Sequence, residues 1–287
     1  MIIVTGASGQ LGRLVVEALL QRGVAPASIV AAVRQPAKVQ DLAQRGVQLR
    51  QADYERPDTL DAALAGAERV LLISSSELGR RQSQHQAVIE AAVRQRVGQL
   101  VYTSLLHADR SPLTDVAADH VATEAMLHRS GLRHAILRNG WYHENYLHPL
   151  QAGFERGMFI GASAQGRIAS AARADYADAA ASVLMAPIGD DVTLELAGDE
   201  AYTLRELGHL AAAAAGRPLA YQDLPPEAFE LAMLSAGLPA PFAAVLTSAE
   251  VGAAQDGLFD DSHTLSRLIG RRTTTISEFL DRTFRPQ

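Results

Sequence analysis

Residues 1–12, MIIVTGASGQLG, constrain this chain more than any other stretch of it. Ile2, Ile3 and Val4 make a short β-branched apolar run that suits a buried strand. Gly6, Gly9 and Gly12 follow at three-residue spacing, and Leu11, Leu14, Val15, Ala18 and Leu19 then recur at helical intervals. A strand that turns at once into a helix uses each glycine differently. Gly6 permits the sharp turn, Gly9 lets backbone approach a phosphate with no Cβ between, and Gly12 lets the helix pack tightly on the sheet. The unpaired N–H groups and positive dipole end of that helix face the same point. The loop of Gly6, Ala7, Ser8, Gly9, Gln10, Leu11 and Gly12 is therefore predicted to hold a dinucleotide pyrophosphate.

The rhythm continues through the first half. Strand-like segments at 28–33, 47–50, 69–73, 99–103 and 134–137 alternate with helix-like segments at 36–45, 57–65, 84–95 and 117–129. Pro57 suits the first turn of its helix. This alternation predicts an α/β fold, a Rossmann-type doubly wound parallel sheet. After Arg138 the pattern breaks into aromatics among glycines, with Trp141, Tyr142, Tyr146, Phe154 and Phe159. Asp175 reads as the N-cap of a helix ending near Met185, and 192–196 as a seventh strand. Thr203 with Glu206, and Thr275 with Glu278, have capping-box spacing, and 225–287 is mostly helical. The expected division is a dinucleotide-binding domain at 1–150, to which 170–198 return, and a smaller, mostly helical substrate-side subdomain at 151–287.

Composition narrows the functional classes. The 287 residues are 48% hydrophobic and 20% charged, which suits a globular chain with a sizeable core. A net charge of −6 argues against nucleic acid as a partner. With no cysteine there is no disulfide, thiolate metal site or cysteine nucleophile. No targeting segment or membrane-length apolar run is visible, so a cytoplasmic location and no membrane partner are expected. The sequence leaves the oligomeric state open, a homo-oligomer included.

Cofactor choice is legible after residue 33. An NAD enzyme usually places an acid there to bind the ribose hydroxyls. This chain has Ala32, Val33 and Arg34, with Lys38 four residues on. A planar guanidinium suits a 2′-phosphate, which points to NADPH. Ser74, Ser75 and Ser76 follow a strand at the edge where open α/β sheets bind ligands. Most short-chain dehydrogenases carry a Tyr-x-x-x-Lys helix for proton transfer. Here Thr103 and Ser104 occupy the usual serine region, but the next helix carries His120 and Glu124 and no Tyr/Lys pair. That absence disfavours alcohol chemistry, which needs an acid or base, and is compatible with soft hydride acceptors or with no chemistry. His120 and Glu124 are expected to be a solvent-exposed helix pair. Six of the nine histidines lie between His107 and His148 without metal-ligand spacing, so no metal is expected. Tyr102 and His107 are candidate proton donors or orienters.

Motifs TGASGQLG (5–12), VRQPAK (33–38), QADY (51–54), LLISSSE (71–77), YTSLLHAD (102–109), LRNGWYHENY (137–146), ADYADAAA (174–181) and GLFDDSHTLSRLIGR (257–271) resemble the NmrA-like group of atypical short-chain dehydrogenases along essentially the whole chain. The resemblance implies a flavin-free, NADPH-dependent reductase of quinones or similar conjugated electrophiles. It implies that Asp53 borders the adenine, although Asp53 also suits the start of a turn. It further implies that Asn139, Gly140, Trp141, Tyr142 and Asn145 approach the nicotinamide or the substrate, with Tyr142 and Asn145 as catalytic candidates. Trp141, Tyr142 and Tyr146 equally suit packing roles. The rival expectation from the same group is a non-catalytic dinucleotide sensor that acts through a protein partner.

Overall fold

The computed structural model describes residues 1–77 and 79–285. Its main sheet has seven strands in the order β3-β2-β1-β4-β5-β6-β8. In chain order the strands are β1 (Ile2–Thr5), β2 (Ile29–Val33), β3 (Gln48–Gln51), β4 (Arg69–Leu72), β5 (Gln99–Leu105), β6 (His134–Asn139) and, later, β8 (Val192–Leu196). Helices α1 (Gln10–Gln21), α2 (Gln40–Gln44), α3 (Pro57–Leu64), α4 (Arg81–Arg94) and α5 (Thr114–Arg129) alternate with the first six strands. The pairing is parallel from β3 through β5. Ile2 stands opposite Ile29 of β2 on one side and Arg69 of β4 on the other. Strand order therefore reverses at β1, the point outside whose carboxyl ends such sheets bind ligands. β2, β5 and β6 are buried throughout, which is why their sequences show no polar–apolar alternation.

The chain divides into two compact units, one of Met1–Ser104, Asp119–Arg138 and Arg173–Leu194, the other of Leu105–Ala118, Asn139–Ala172 and Glu195–Gln287. The first unit is centred on Ile3, Val30, Leu60, Val70, Leu100 and Ile136. The second has its own core, with Leu113, Tyr146, Leu150, Phe159, Leu204 and Leu207. It contains α6 (Leu147–Arg156), β7 (Met158–Gly161), α8 (Leu204–Ala215), β9 (Ala220–Asp223), α9 (Pro226–Ser235), α10 (Ala240–Ala253), α11 (Thr264–Ile269) and α12 (Ile276–Phe284), while α7 (Arg173–Met185) belongs to the first unit. Both expected capping boxes are present, at Thr203–Glu206 and Thr275–Glu278. Among the described residues no helix is long and apolar enough to cross a membrane.

Several local expectations need correction. Asp175 is not an N-cap; α7 begins at Arg173, and Asp175 is fully buried in its first turn. The helix expected at 36–45 is a 3-10 turn at Pro36–Val39 followed by α2. The parallel pair β7–β9 escaped the sequence reading, because two four-residue strands carry too few alternations to register.

Beneath that pair, the carboxylate of Glu250 accepts the N–H of Ala162 at 2.9 Å. Burial, with Asp223 nearby, pushes the Glu250 carboxyl up to about 7. A raised carboxyl contributes stability below its unfolded value near 4.5, and that contribution is lost as pH rises through about 7. Glu250→Gln keeps an acceptor for Ala162, so the variant is expected to exceed the parent in stability at pH 8 by about 1–3 kcal/mol, with little gain at pH 4. Urea unfolding at the two pH values measures this, and an equal effect at both would contradict it.

Candidate functional site

The glycine turn builds one wall of a cleft in the first unit. Gly6 adopts φ +60°, the left-handed region that glycine tolerates, and its carbonyl accepts the N–H of Gly9 at 2.8 Å. A Cβ on Gly12 would lie 2.8 Å from the Cα of the buried Ala7, so that position has room for glycine alone. α1 starts with no side-chain cap and no acid in its first turn. Its first N–H groups thus remain available to an anion. This fits a pyrophosphate. Gly6, Ser8 and Gly9 line the cleft. Leu11 and Gly12 are buried behind it, and Gln10 is tied to Arg173.

The opposite wall comes from the ends of β2, β3 and β4. Arg34, Asp53, Ser74, Ser75 and Ser76 all line the cleft. Asp53 also starts a turn, its carboxylate accepting the N–H of Glu55 at 3.1 Å. Lys38 sits exposed in the 3-10 turn after Arg34 and is not part of the cleft lining. Tyr54, Glu77 and Gln84 line the cleft too and were not singled out from sequence. The Tyr54 hydroxyl lies 2.5 Å from Thr5 Oγ1 and donates to the Ile73 carbonyl at 3.2 Å, and burial pushes its pKa up to about 12.

A buried network holds the serine segment. Ser74 N–H donates to Thr103 Oγ1 at 3.0 Å. Ser75 N–H donates to His85 Nε2 at 2.9 Å, and the Ser75 carbonyl accepts from Arg81 Nε at 2.6 Å. Thr123 gives its hydroxyl proton to the Asp119 carbonyl at 2.7 Å, so the proton between Thr123 and His85 Nδ1, 2.9 Å apart, belongs to the imidazole. His85 is thereby fixed as a neutral Nδ1–H tautomer whose Nε2 lone pair faces Ser75. Burial, helped by the Arg81 charge, holds its pKa down to about 3.

Tyr102, Ser104, His120 and Glu124 are inside the unit. Tyr102 is fully buried with its hydroxyl 2.8 Å from His120 Nδ1, which leaves it no open path to a substrate. Ser104 donates to Glu124 at 2.5 Å, and Arg138 grips the same carboxylate through Nε at 3.0 Å and Nη2 at 2.7 Å. The expectation of a solvent-exposed His120–Glu124 pair is therefore wrong. Both are under 10% exposed, because this face of α5 meets Tyr102 and Arg138, which spacing along the helix cannot reveal.

In the second unit, Asn139 is buried and donates weakly to the Tyr142 hydroxyl at 3.4 Å, while Gly140 N–H donates to the Leu196 carbonyl at 2.7 Å. Trp141 and Tyr142 are half-buried, and Trp141 packs against the unit's core. Asn145 is half-buried in the 3-10 turn His143–Tyr146, its N–H on the Tyr142 carbonyl at 3.0 Å. His107 takes φ +54°, and its ring lies between Arg110 and the Phe259 carbonyl, each at 3.1 Å, with Glu195 raising its pKa. Both ring nitrogens thus already have protein partners. Among the described residues no group of three His, Asp or Glu side chains is placed to hold a metal ion.

A family model described as NAD(P)H-binding matches residues 6–187. The chain belongs to the NAD(P)H-binding family. Within it, the chain is 50% identical over 285 residues to Quinone oxidoreductase 2 of Escherichia coli (strain K12), covering 99% of each. The crystal structure of the NADPH-dependent quinone oxidoreductase from Escherichia coli, complexed with NADPH, matches at a TM-score of 0.96 with 50% identity, over 99% of this chain and 100% of that one. The structure of the Citrobacter sp. triphenylmethane reductase complexed with NADP(H) matches at 0.92 with 30% identity, over 98% and 99%. The NAD(P)H-binding match begins at Gly6 and so takes in the glycine turn, the Arg34 segment and the serine segment of the cleft.

Proposed function

We propose that this chain transfers hydride from NADPH directly to quinones or similar conjugated electrophiles, with no flavin. The observation that carries the cofactor choice is Arg34 at the end of β2, lining the cleft where an NAD enzyme has an acid. The acceptor class follows the quinone and dye reductases to which the whole chain is similar. When bound, NADPH supplies the hydride. The uncapped N–H groups of α1 hold the pyrophosphate, and the glycines let it approach. Arg34 takes the 2′-phosphate, and Asp53 with Ser74–Ser76 borders the nucleoside. Asn145 and Tyr142 orient the acceptor. Proton supply needs no Tyr/Lys pair, because a quinone that gains hydride becomes a delocalised anion that water protonates. The protein's contribution is alignment and exclusion of water. A cysteine-free chain also suits the reducing cytoplasm.

The test is turnover. Flavin-free, chelator-treated protein is expected to oxidise NADPH in the presence of small quinones, followed by the loss of NADPH absorbance. A dinucleotide sensor would bind NADPH and turn over none of a broad quinone panel, and that result would overturn the proposal. Arg34→Ala is expected to weaken NADPH binding by about 1.5 kcal/mol, or roughly tenfold, the low end for charged hydrogen bonds because the side chain is 70% exposed. NADH binding should not change, and equal losses for both dinucleotides would remove Arg34 from the 2′-phosphate.

A further inference from the structure

Arg34 does not face the cleft alone. Glu77, on the segment after β4, accepts from Arg34 Nη1 at 2.9 Å through one carboxylate oxygen and from Gln84 Nε2 at 2.9 Å through the other. Gln84 belongs to α4 and is 4% exposed, so the carboxylate is anchored from the interior while Glu77 itself stays in contact with solvent at the cleft. The Glu77 N–H donates to Ser75 Oγ at 3.2 Å, and Ser75 is in turn fixed by His85 and Arg81. The carboxylate is thus held in place rather than drifting on a free side chain.

A carboxylate fixed beside that guanidinium acts with opposite sign on the two dinucleotides. Toward a 2′-phosphate it competes for Arg34 and repels the incoming charge. Toward a 2′-hydroxyl it is a hydrogen-bond acceptor, the part that an acid at the end of β2 plays in NAD enzymes. β2 ends here in Ala32 and Val33 and brings no acid. The loop after β4 brings one instead. We propose that Glu77 is a specificity-determining residue, which restrains the preference for NADPH over NADH by holding Arg34. The proposal rests on the assignment of Arg34 to the 2′-phosphate.

Glu77→Gln keeps the size and the acceptor for Gln84 but removes the charge. Dissociation constants for NADPH and NADH are measured for the parent, Glu77→Gln and Arg34→Ala, with melting temperatures recorded to confirm folded protein. Glu77→Gln is expected to tighten NADPH about three- to tenfold and to leave NADH unchanged or weaker, so the selectivity ratio rises. NADPH binding by this variant should also weaken more steeply with added salt, because Arg34 has lost its internal counter-charge. A ratio unchanged by Glu77→Gln, or equal losses for both dinucleotides, overturns the role of Glu77 and leaves Arg34 standing if Arg34→Ala still costs NADPH selectively. If Arg34→Ala weakens both equally, the assignment of Arg34 fails, and the proposal with it.

Discussion

Acidification from pH 7 to pH 4 is expected to remove about 4–6 kcal/mol of stability through two imidazoles alone. His85 and His120 are both buried, and burial first, then the charge of Arg81, lowers each to about 3 from the ordinary value of 6.5. A histidine whose folded pKa is depressed contributes stability above its unfolded value and loses it as pH falls. The window here runs from about 6.5 down to about 3. Within it each ring costs about 1.4 kcal/mol per pH unit, and the pair acts together. Their mutual proximity, which contributes to the shift at His120, keeps the sum below a strict doubling. Because His85 stays neutral in the folded protein down to about pH 3, its Nε2 keeps receiving the Ser75 N–H for as long as the unit stays folded above that pH. Imidazole NMR titration with urea unfolding at pH 7, 5.5 and 4 measures both quantities. Rings titrating near 6.5 in the folded protein, or an unfolding free energy flat across that range, would contradict the expectation.

Asn145→Ala is expected to lower quinone turnover about a hundredfold while folding and NADPH affinity stay near those of the parent, since misalignment of a reacting pair costs on that order. Asn145 sits half-buried in a 3-10 turn, its backbone N–H on the Tyr142 carbonyl. Melting temperature, NADPH dissociation constant and rate per folded molecule separate the outcomes. A destabilised variant with full activity per folded molecule would show that Asn145 only supports the turn.

What could be read from the sequence was whatever depends on neighbours along the chain. The glycine turn, the apolar strands and Arg34 in place of an acid are all local patterns, and each is where those patterns put it. Both capping boxes were legible for the same reason. Of the other cleft-lining residues, Glu77 and Gln84 were not. Glu77 matters because Arg34 comes from another strand, and Gln84 and His85 matter because α4 folds against the segment after β4. His120 and Glu124 show the limit most plainly. Their spacing places them on one helix face, but whether that face meets water or a buried tyrosine and arginine is a tertiary fact. Tyr102 and His107 looked available as isolated polar residues, and only their surroundings show that each is already engaged.

The division of the chain carries a consequence for synthesis. Each unit is assembled from three separate stretches, so the polypeptide passes between them five times. The sheet-bearing unit lacks α7 and the start of β8 until Leu194 has been made. A nascent chain stopped anywhere before that point has the glycine turn but an unfinished sheet, with an unpaired strand edge exposed. Neither unit can be lifted out as one continuous gene segment, and an exchange of residues 1–104 would carry the nucleotide cleft while leaving behind Leu127, Leu132 and Ile136 of its core. The first unit is therefore inherited whole only together with the stretches of the second that interrupt it.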